Sequence, residues 1–260
     1  IPARHGILGP LIRSIFIPEK DCEWGIFDYS QQEPRLVVHY ANKNGFPGAG
    51  KFLDSYQKDN NTDFHTMVSE IADIPRKQAK TINLGLFYGM GKGKLMSQLG
   101  VNLETASELL ASYNERVPFV KQLMNDTMNK AGKKGYLSTL EGRRCRFDQW
   151  EPTNEWGQKS LPLAEAQQQY GEHMIKRAWT YKALNRLIQG SAADQTKKAM
   201  LALAKEGYLA HIQVHDELDF SVASDADKAK IKDIMENCVE LSVPSKVDVE
   251  CGDNWGDAGD

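Results

Sequence analysis

Short apolar runs at the two ends of the chain predict β-strands. Near the start, residues 11–17 and 22–28 are apolar runs separated by a turn-rich spacer, the pattern of two consecutive strands. Near the end, residues 209–214 and 218–222 predict a hairpin, and residues 246–251 predict a final strand. Strands are therefore expected at both extremes of the sequence.

Helical periodicity dominates the middle of the chain. A short helix is predicted over residues 35–40, with a proline in its first turn, and a largely helical block is predicted over roughly residues 62–132. Within that block, Asp73 is predicted to be the N-cap of a helix that has Pro75 in its opening turn and runs to Tyr88.

Further elements fill the second half of the chain. Residues 135–149 indicate a hairpin, a long helix broken near residues 184–189 is predicted over about 162–207, and an amphipathic helix over about 225–241. Strands at both ends with helices between them predict an α+β fold. In this fold, one small antiparallel sheet is flanked by helices, and a helical subdomain is inserted between its strands.

Composition narrows the class of protein. The 260 residues are 41% hydrophobic, which is enough to bury at least one sizeable core. There is no apolar run of about 18 residues and no signal-peptide pattern at the start, which argues against membrane-spanning and secreted proteins. The four cysteines are scattered without a C-x-x-C pair, which argues against a zinc module and a disulfide framework. An intracellular protein is the simplest interpretation.

Charge is unevenly distributed along the chain. The net charge is only −3, but residues 75–94 carry +5 and residues 130–146 carry +5, whereas residues 206–260 carry −10. Local fields matter more than the total when a polyanion has to be held. The basic segments therefore indicate contacts with phosphates, and the acidic C-terminal part is interpreted as a solvated surface.

Acidic residues follow two of the predicted strands. Asp28 closes one strand, and Val214-His215-Asp216-Glu217 lies at the turn of the hairpin near the end. If these strands are neighbours in one sheet, their carboxylates converge and need a cation between them. Mg²⁺ is typically held by one or two carboxylates together with substrate phosphates, and a pair of such ions supports phosphoryl transfer. Taken alone, an acidic hairpin turn is more often only a turn.

A basic helix shifts the interpretation towards a functional site. Four residues spaced one helical turn apart lie along one stripe: Arg76, Lys80, Leu84 and Tyr88. Two cations and an aromatic ring on one stripe can follow a triphosphate and cover a base. The alternative, a solvated basic face, is difficult to reconcile with the apolar residues 82–88 of the same helix.

Three segments resemble the motifs of family A DNA polymerases, the DNA polymerase I-like enzymes. Asp28–Arg35 resembles the first motif, Arg76–Gly89 resembles the second, which is the fingers helix, and Gln213–Leu218 resembles the third. Shorter matches follow in the order of the family: Gly142–Arg144, Asn185–Asp194 and Gly252–Trp255. The resemblance therefore extends over nearly the whole chain.

This resemblance implies a palm subdomain over residues 1–44 and 135–260 and a fingers subdomain over residues 45–134. The chain starts with Ile rather than Met, and we interpret it as the C-terminal part of a longer protein. The thumb and any 3′–5′ exonuclease are absent from this chain and would precede Ile1. Since much of the grip on duplex DNA comes from phosphate contacts, the isolated piece is expected to bind primer–template weakly and to extend it poorly.

The implied reaction is template-directed DNA synthesis, a nucleotidyl transfer from a dNTP to a primer 3′-OH with release of pyrophosphate. The resemblance implies that Asp28 and Asp216 hold two Mg²⁺ ions, for which Mn²⁺ can substitute, and that the Tyr29 carbonyl is a further ligand. Glu217 would support this catalytic cluster. The implied partners are primer–template DNA and dNTPs, without a membrane.

Several residues are implied to bind the incoming nucleotide. Arg76 and Lys80 would grip the triphosphate, and Lys80 would also protonate the leaving pyrophosphate. His65 matches a phosphate-contacting histidine of the fingers, although a lone histidine is more often a core or surface residue. Glu33 would be a steric gate against a ribose 2′-OH, and Leu84 would lie beside the sugar. Tyr88 would stack near the templating base, and Gln31 would be a further substrate-binding residue.

The duplex is implied to contact another group of residues. Arg143, Asn185 and Gln189 would touch the primer–template through its minor groove or its backbone, where similar acceptors in A·T and T·A pairs allow pairing to be checked without reading sequence. Tyr88 and His215 are placed with this DNA-binding group, although His215 is expected mainly to brace its turn.

The chain departs from the family pattern at several positions. Gln32 and Pro34 stand where aliphatic residues are usual, and Leu84 stands where Phe or Tyr is usual, which predicts altered discrimination against dideoxynucleotides. Residues 180–182 replace a Glu-Arg pair of cellular members, and residues 183–189 look more phage-like. A viral or organellar replicative enzyme is therefore expected, acting in the cytoplasm or nucleoid, in a host cytoplasm or in an organelle.

Three alternatives stay open at this point. A single-subunit RNA polymerase shares the palm-and-fingers plan, but Glu33 and the His-Asp-Glu turn argue against it. A non-catalytic DNA-binding remnant is disfavoured because Asp28, Asp216 and Lys80 are all present. A metal-dependent nuclease is disfavoured because no general base or further His-acid cluster is visible.

Overall fold

The computed structural model describes residues 6–90, 92–154 and 157–258. The chain divides into two compact units. Unit 1 falls within Ile1–Arg35, Asp59–Asn61 and Ala192–Asp260, and unit 2 falls within Leu36–Lys58 and Thr62–Ser191.

The helices of the described residues are α1 (Leu8–Arg13), α2 (Gln32–Lys43), α3 (Ala49–Lys58), α4 (Phe64–Ala72), α5 (Arg76–Phe87), α6 (Lys92–Leu99), α7 (Leu103–Arg116), α8 (Pro118–Lys134), α9 (Leu163–Tyr170), α10 (Ala183–Lys205) and α11 (Asp225–Asn237). The strands are β1 (Glu23–Tyr29), β2 (Tyr136–Ser138), β3 (Arg144–Arg146), β4 (Gln149–Pro152), β5 (Leu161–Pro162), β6 (Ile175–Arg177), β7 (Ile212–Val214), β8 (Glu217–Val222) and β9 (Val247–Gly252).

The main sheet lies in unit 1 and has the strand order β7-β8-β1-β9, with every neighbouring pair antiparallel. Alternate residues of a strand point to opposite faces, and both faces of this sheet are covered. One face packs Phe27, Tyr29, Leu218 and Phe220 into a core with residues of α10 and α11. The other face packs Trp24 and Ile26 against Trp255 and Ala258 near the C-terminus.

Unit 2 has a core rich in aromatic rings. Phe64 packs against Phe52, Phe87 and Phe119, with ring centroids 5.1, 5.9 and 6.5 Å away. These rings come from α3, α4, α5 and α8, so one cluster of aromatic side chains packs four helices together. Unit 2 also holds the hairpin β2–β3 and a three-stranded sheet of order β5-β4-β6.

Most of the predicted elements are confirmed. The helix-rich fold with small antiparallel sheets agrees with the predicted α+β class, and the strand predicted over 22–28 is β1. The hairpins predicted near 135–149 and 209–222 are present, and the helical block over 62–132 corresponds to α4–α8. The three-stranded sheet was not predicted, because its strands have only two to four residues.

Three local predictions are wrong. The strand predicted over 11–17 is replaced by α1, because a short apolar run does not distinguish a strand from a helix and Pro10 is tolerated in a first helical turn. Asp73 is the C-cap of α4 at φ 53°, a left-handed conformation that Asp tolerates, and is not an N-cap of α5.

The third wrong prediction is the long helix over residues 162–207. It is interrupted between α9 and α10 by β6 and two short 3-10 turns, and residues 184–189 lie inside α10. Gly171 at φ 89° and Trp179 at φ 58° take backbone conformations that an α-helix does not contain. Of the helices within residues 6–90, 92–154 and 157–258, none combines the length and the apolar character that crossing a bilayer requires.

Candidate active site

Four acidic residues lie at one end of the main sheet: Asp28, Asp216, Glu217 and Asp248. Asp28, the penultimate residue of β1, lies directly opposite Glu217 on β8 and opposite Asp248 on β9. The next residue, Tyr29, donates its backbone N–H to the carbonyl of Asp216 at 3.4 Å. Residues 28 and 216, far apart in sequence, are thereby joined by strand pairing.

The β7–β8 turn positions Asp216. The two strands are joined by only two residues, His215 and Asp216, the shortest common hairpin loop. His215 adopts φ 55°, a left-handed conformation in which histidine is enriched among non-glycine residues. The Gln213 side chain donates to the His215 carbonyl at 3.0 Å. The Gln213 side chain therefore fixes the backbone of this turn, whereas the His215 imidazole is exposed.

Burial and mutual repulsion disfavour the charged carboxylates of this cluster. Burial, and then the charges of Asp216, Glu217, Asp248 and Glu250, raise the pKa of Asp28 to about 7. Burial also raises the pKa of Asp216 and that of Glu217. Each of these groups is therefore stabilised either by a proton or by a nearby cation.

The donor set fits a hard divalent cation shared with a substrate. In the described part of the chain, no group of three or more His, Cys, Asp or Glu side chains is arranged to hold a metal ion by itself. Mg²⁺ bound with substrate phosphates does not need one, because it uses one or two carboxylates and keeps several waters. The Tyr29 hydroxyl is buried and donates to the Met235 carbonyl at 2.7 Å, so its backbone carbonyl is the group that remains for a ligand role.

Asp219 is an acidic residue of this region that the sequence reasoning missed. It is fully buried, two residues after Glu217 on the same face of β8, and it pairs with Ile26 in the register. Both of its carboxylate oxygens are buried, and the carboxylate interacts with Glu217 and Arg13. Burial and then Glu217 raise the pKa of Asp219 to about 8, and Arg13 opposes this rise. The period-two pattern of β8 was the signal that could have placed it.

Two residues of the first predicted motif lie at the start of α2. Gln31 adopts φ 53° and its carbonyl accepts from the Arg35 N–H at 3.1 Å, and Glu33 lies half-buried in the first turn. Gln32, which stands where an aliphatic residue is usual in the resembled family, is buried. Its amide donates to the Gln195 side chain at 3.2 Å, so its polar group is satisfied.

Helix α5, in unit 2, presents the predicted stripe on its exposed side. Arg76, Lys80 and Tyr88 are exposed and Leu84 is half-buried. The other face of α5 buries Ala79, Ile82, Asn83, Gly85 and Phe87. The helix is therefore amphipathic in the sense that the sequence predicted.

Arg76 is already paired. Its guanidinium contacts the Asp63 carboxylate at 3.0 Å and donates to the Thr66 hydroxyl at 3.1 Å. Although burial works in the other direction, hydrogen bonds from Arg76 and Thr66 lower the pKa of Asp63 to about 2. Because the Arg76 side chain is 54% exposed, the pair is screened by solvent, and a polyphosphate can compete for this arginine. Asp63, the N-cap of α4, was not singled out by the sequence reasoning.

His65 is a buried member of unit 2. It is 7% exposed, and Asn83 of α5 contacts its Nδ1 at 2.9 Å. Burial lowers the pKa of His65, and the charges of Lys80 and Arg76 lower it further, against Asp63. The imidazole is thus neutral near pH 7.

Three of the residues expected to contact the duplex lie on the β2–β3 hairpin and on α10: Arg143, Asn185 and Gln189. Arg143 donates to the Gly190 carbonyl at 2.8 Å, and Arg186 donates to the Arg146 carbonyl at 2.8 Å. A Cβ on Gly190 would approach the Thr139 methyl to 2.7 Å, so glycine permits the close approach of hairpin and helix. Asn185 is half-buried and Gln189 is exposed.

The predicted site residues thus form two groups. Unit 1 holds Asp28, Tyr29, Gln31, Glu33, His215, Asp216 and Glu217, and unit 2 holds His65, Arg76, Lys80, Leu84, Tyr88, Arg143, Asn185 and Gln189. Within unit 1 the carboxylates converge, and within unit 2 the electrostatic influence of Arg76 and Lys80 reaches His65.

A carboxylate cluster that can receive divalent cations is typical of proteins that carry out metal-dependent phosphoryl transfer. The chain belongs to DNA polymerase family A, since the model of that family matches residues 1–257. Family A DNA polymerases generally depend on divalent metal ions.

Individual relatives come from phages and bacteria. The chain is 39% identical to a DNA-directed DNA polymerase of Pseudomonas phage M6, over 94% of this chain and 40% of the relative. It is 34% identical to DNA polymerase I of Bacillus subtilis (strain 168), over 96% of this chain and 28% of the relative. The phage relative agrees with the phage-like sequence noted at residues 183–189. The chain thus spans less than half of the length of these relatives.

A solved structure has the same fold. The POL domain of Pol1 from M. smegmatis, in complex with DNA primer-template and dNTP, superposes with a TM-score of 0.77 and 28% sequence identity. The match covers 98% of this chain and 44% of that chain. The agreement covers nearly all of the present chain.

Proposed function

We propose that this chain is the palm-and-fingers part of a DNA polymerase that transfers a nucleotidyl group from a dNTP to a primer 3′-OH and releases pyrophosphate. The observation that carries the proposal is the carboxylate cluster, in which Asp28 lies opposite Glu217 and is bonded through its neighbour to Asp216. Membership of family A and the likeness to a polymerase domain complexed with primer-template and dNTP support it.

The proposed palm comprises residues 1–44 and 135–260, and the proposed fingers comprise residues 45–134. The palm contributes the main sheet with its carboxylates. The fingers contribute α5 with its basic stripe. The sources of the relatives support action inside a cell, on bacterial or phage DNA.

Asp28, Asp216 and the Tyr29 carbonyl are proposed to hold two Mg²⁺ ions, and Mn²⁺ can replace them. When bound, such ions lower the pKa of the attacking hydroxyl and neutralise charge on the leaving group. The raised pKa of Asp28 supports this assignment, because burial and then repulsion from the neighbouring carboxylates disfavour its charged form, and a bound cation relieves that repulsion. Glu217 supports the cluster from the opposite position in the register.

The triphosphate is proposed to bind Arg76, Lys80 and His65. Phosphoryl transfer depends mainly on positioning and charge neutralisation, which an exposed arginine and an exposed lysine one turn apart supply. Lys80 then gives a proton to the departing pyrophosphate, as a general acid. In binding phosphate, Arg76 exchanges its partner Asp63 for the substrate.

The nucleoside and the duplex are proposed to contact the remaining residues. Glu33 excludes a 2′-OH, Leu84 contacts the sugar, Tyr88 stacks near the templating base, and Gln31 completes the substrate group. Polar side chains able to reach the minor groove or the backbone are proposed to hold the duplex: Arg143, Asn185 and Gln189, with Tyr88 and His215 beside them.

The test is primer extension by the full-length protein carrying Asp216→Asn or Asp28→Asn, compared with Glu240→Gln. Glu240 is an exposed acid outside the cluster and serves as the matched control. We expect each cluster variant to lose synthesis by roughly 10²-fold or more, while primer–template binding and the control stay unchanged. Full synthesis by Asp216→Asn would refute the assignment. Incorporation of rNTPs as readily as dNTPs by the wild-type protein would favour an RNA polymerase instead.

A further inference from the structure

Three polar side chains form a continuous chain of hydrogen bonds inside unit 2. They are His65 on α4, Asn83 on α5 and Tyr113 on α7. Asn83 and Tyr113 are completely buried and His65 is 7% exposed. Buried polar groups that satisfy one another in this way hold their partners in one arrangement.

The two contacts differ in length. The Tyr113 hydroxyl lies 2.5 Å from Oδ1 of Asn83, and Nδ2 of Asn83 lies 2.9 Å from Nδ1 of His65. In this orientation, the phenol donates to the amide oxygen and the amide N–H donates to the imidazole. Nδ1 of His65 is then an acceptor and carries no proton.

A rotated Asn83 amide would have the opposite consequence. Its nitrogen would face Tyr113 and its oxygen would face His65, so the proton of a neutral imidazole would have to sit on Nδ1. The distances favour the first orientation, because hydroxyl–oxygen hydrogen bonds reach about 2.5 Å whereas N–H···O bonds are usually about 2.7–3.2 Å. The contact of 2.9 Å to His65 suits an N–H donor in either orientation, so the short contact to Tyr113 is the one that decides.

The charge state of His65 agrees with this arrangement. An imidazolium would carry protons on both nitrogens and could not accept from Asn83. Burial lowers the pKa of His65, and the charges of Lys80 and Arg76 lower it further, against the opposing effect of Asp63. The neutral ring therefore has its single proton on Nε2.

We propose that Asn83 and Tyr113 are positioning residues that hold His65 as the Nε2–H tautomer, so that its Nε2–H is a ready donor to a phosphate oxygen of the incoming nucleotide. The phosphate contact rests on the proposed function, whereas the tautomer does not. Because Asn83 is on α5 together with Arg76 and Lys80, the same helix that carries the two cations also sets the proton on His65.

The first experiment reads the tautomer directly. The full-length protein is labelled with ¹⁵N in its histidine rings, and the His65 signal is assigned by its loss in His65→Gln. We expect a protonated Nε2 and an unprotonated Nδ1 in the wild-type protein. Asn83→Asp is expected to shift the proton to Nδ1 or to protonate both nitrogens, because its carboxylate only accepts at neutral pH. A wild-type ring protonated on Nδ1, or a tautomer unmoved by Asn83→Asp, would overturn the inference.

The second experiment links the tautomer to substrate binding. Tyr113→Phe leaves the Asn83 oxygen without its donor, so the amide can rotate. We expect mixed tautomers and a KM for dNTP about three- to tenfold higher, the range for one lost hydrogen bond, with kcat nearly unchanged. Tyr56→Phe, which removes the hydroxyl from another fully buried tyrosine of unit 2, is the control and should change neither the tautomer nor the KM.

The His65→Gln background separates positioning from general loosening. The amide nitrogen of Gln occupies roughly the place of Nε2, and it donates a hydrogen bond in either orientation of the Asn83 amide. Tyr113→Phe should therefore add little to the KM in this background. An undiminished effect there would mean that Tyr113 acts only on stability, which would overturn the positioning role. If His65→Ala leaves the KM for dNTP unchanged while the tautomer is as expected, the proposed phosphate contact fails, and with it the donor half of the inference.

Discussion

The carboxylate edge of unit 1 and the exposed side of α5 in unit 2 treat charge in opposite ways. At the edge, burial and then like-charged neighbours raise the pKa of Asp28 to about 7. On α5, Arg76 has a counter-ion, and the pKa of that partner, Asp63, falls to about 2. The carboxylate edge of unit 1 is therefore stabilised when it binds a cation. On α5, Arg76 is already paired with Asp63 and has to release it before it binds an anion.

The largest expected effect tests whether Lys80, on the stripe of α5, matters more for the reaction than Lys77, another exposed lysine of the same helix. Lys80→Gln is expected to lower kcat by roughly 10²-fold, the loss typical of a missing general acid. Lys77→Gln, on the same helix but about 60–100° around its axis from the stripe residues Lys80 and Arg76, is the matched control and should stay close to wild type. The measurement is single-turnover nucleotide incorporation by the full-length protein. Equal kcat values for the two variants would remove Lys80 from the chemistry.

The next prediction concerns Asp219 in unit 1, a carboxylate whose negative charge is disfavoured by burial. Because the pKa of Asp219 is raised from 3.8 to about 8, the folded state binds the extra proton, and its contribution to stability falls as pH rises from about 4 to about 8. Asp219→Asn removes this titration. We expect the variant to gain roughly 1–3 kcal/mol relative to wild type at pH 8 compared with pH 5.

This prediction is checked by Tm measurements of both proteins at the two pH values. Asp225→Asn, an exposed acid at the start of α11, is the control and should leave the pH dependence of the wild-type protein in place. If Asp219→Asn follows the wild-type pH curve, burial does not control this carboxylate.

A smaller effect concerns the half-buried member of the α5 stripe. Leu84→Phe places a rigid ring where the sugar of the incoming nucleotide is proposed to lie. It is expected to lower dideoxynucleotide incorporation relative to deoxynucleotide incorporation by about fivefold, the scale of a small change in an apolar pocket. Primer extension with both nucleotides measures the ratio, and Leu86→Phe in the same helix is the control. Identical ratios in wild type and Leu84→Phe would refute the proposed sugar contact.

The smallest expected effect comes from removing the ion pair between Asp63 and Arg76. Asp63→Asn removes the charge that holds Arg76, while Asn still caps α4 well. We expect a KM for dNTP about two- to threefold lower, with the difference shrinking as salt screens exposed charges. Asp73→Asn, at the exposed C-cap of α4, is the control. A raised KM in Asp63→Asn would mean that the ion pair orients Arg76 for binding instead of withholding it.

Prediction from the sequence is correct where a residue's neighbours along the chain decide its conformation. The stripe on α5 and the amphipathic α11 follow from helical spacing, and the turn at His215-Asp216 follows from its place between two apolar runs. It failed where short apolar segments fit either kind of element, as in α1, and where left-handed residues such as Gly171 interrupt a helical pattern. Asp219 could have been predicted from the sequence, because its place two residues after Glu217 puts it on the same face of β8.

By itself, then, the sequence determined which segments carry acids, which helix carries cations, and the family to which their order belongs. Only the tertiary structure decided that Asp28 pairs with Glu217, that Arg76 is held by Asp63, and that Tyr113 and Asn83 reach His65. The reason is physical. Desolvation and hydrogen bonding depend on distances of a few ångströms, and between residues far apart along the chain those distances are set by packing.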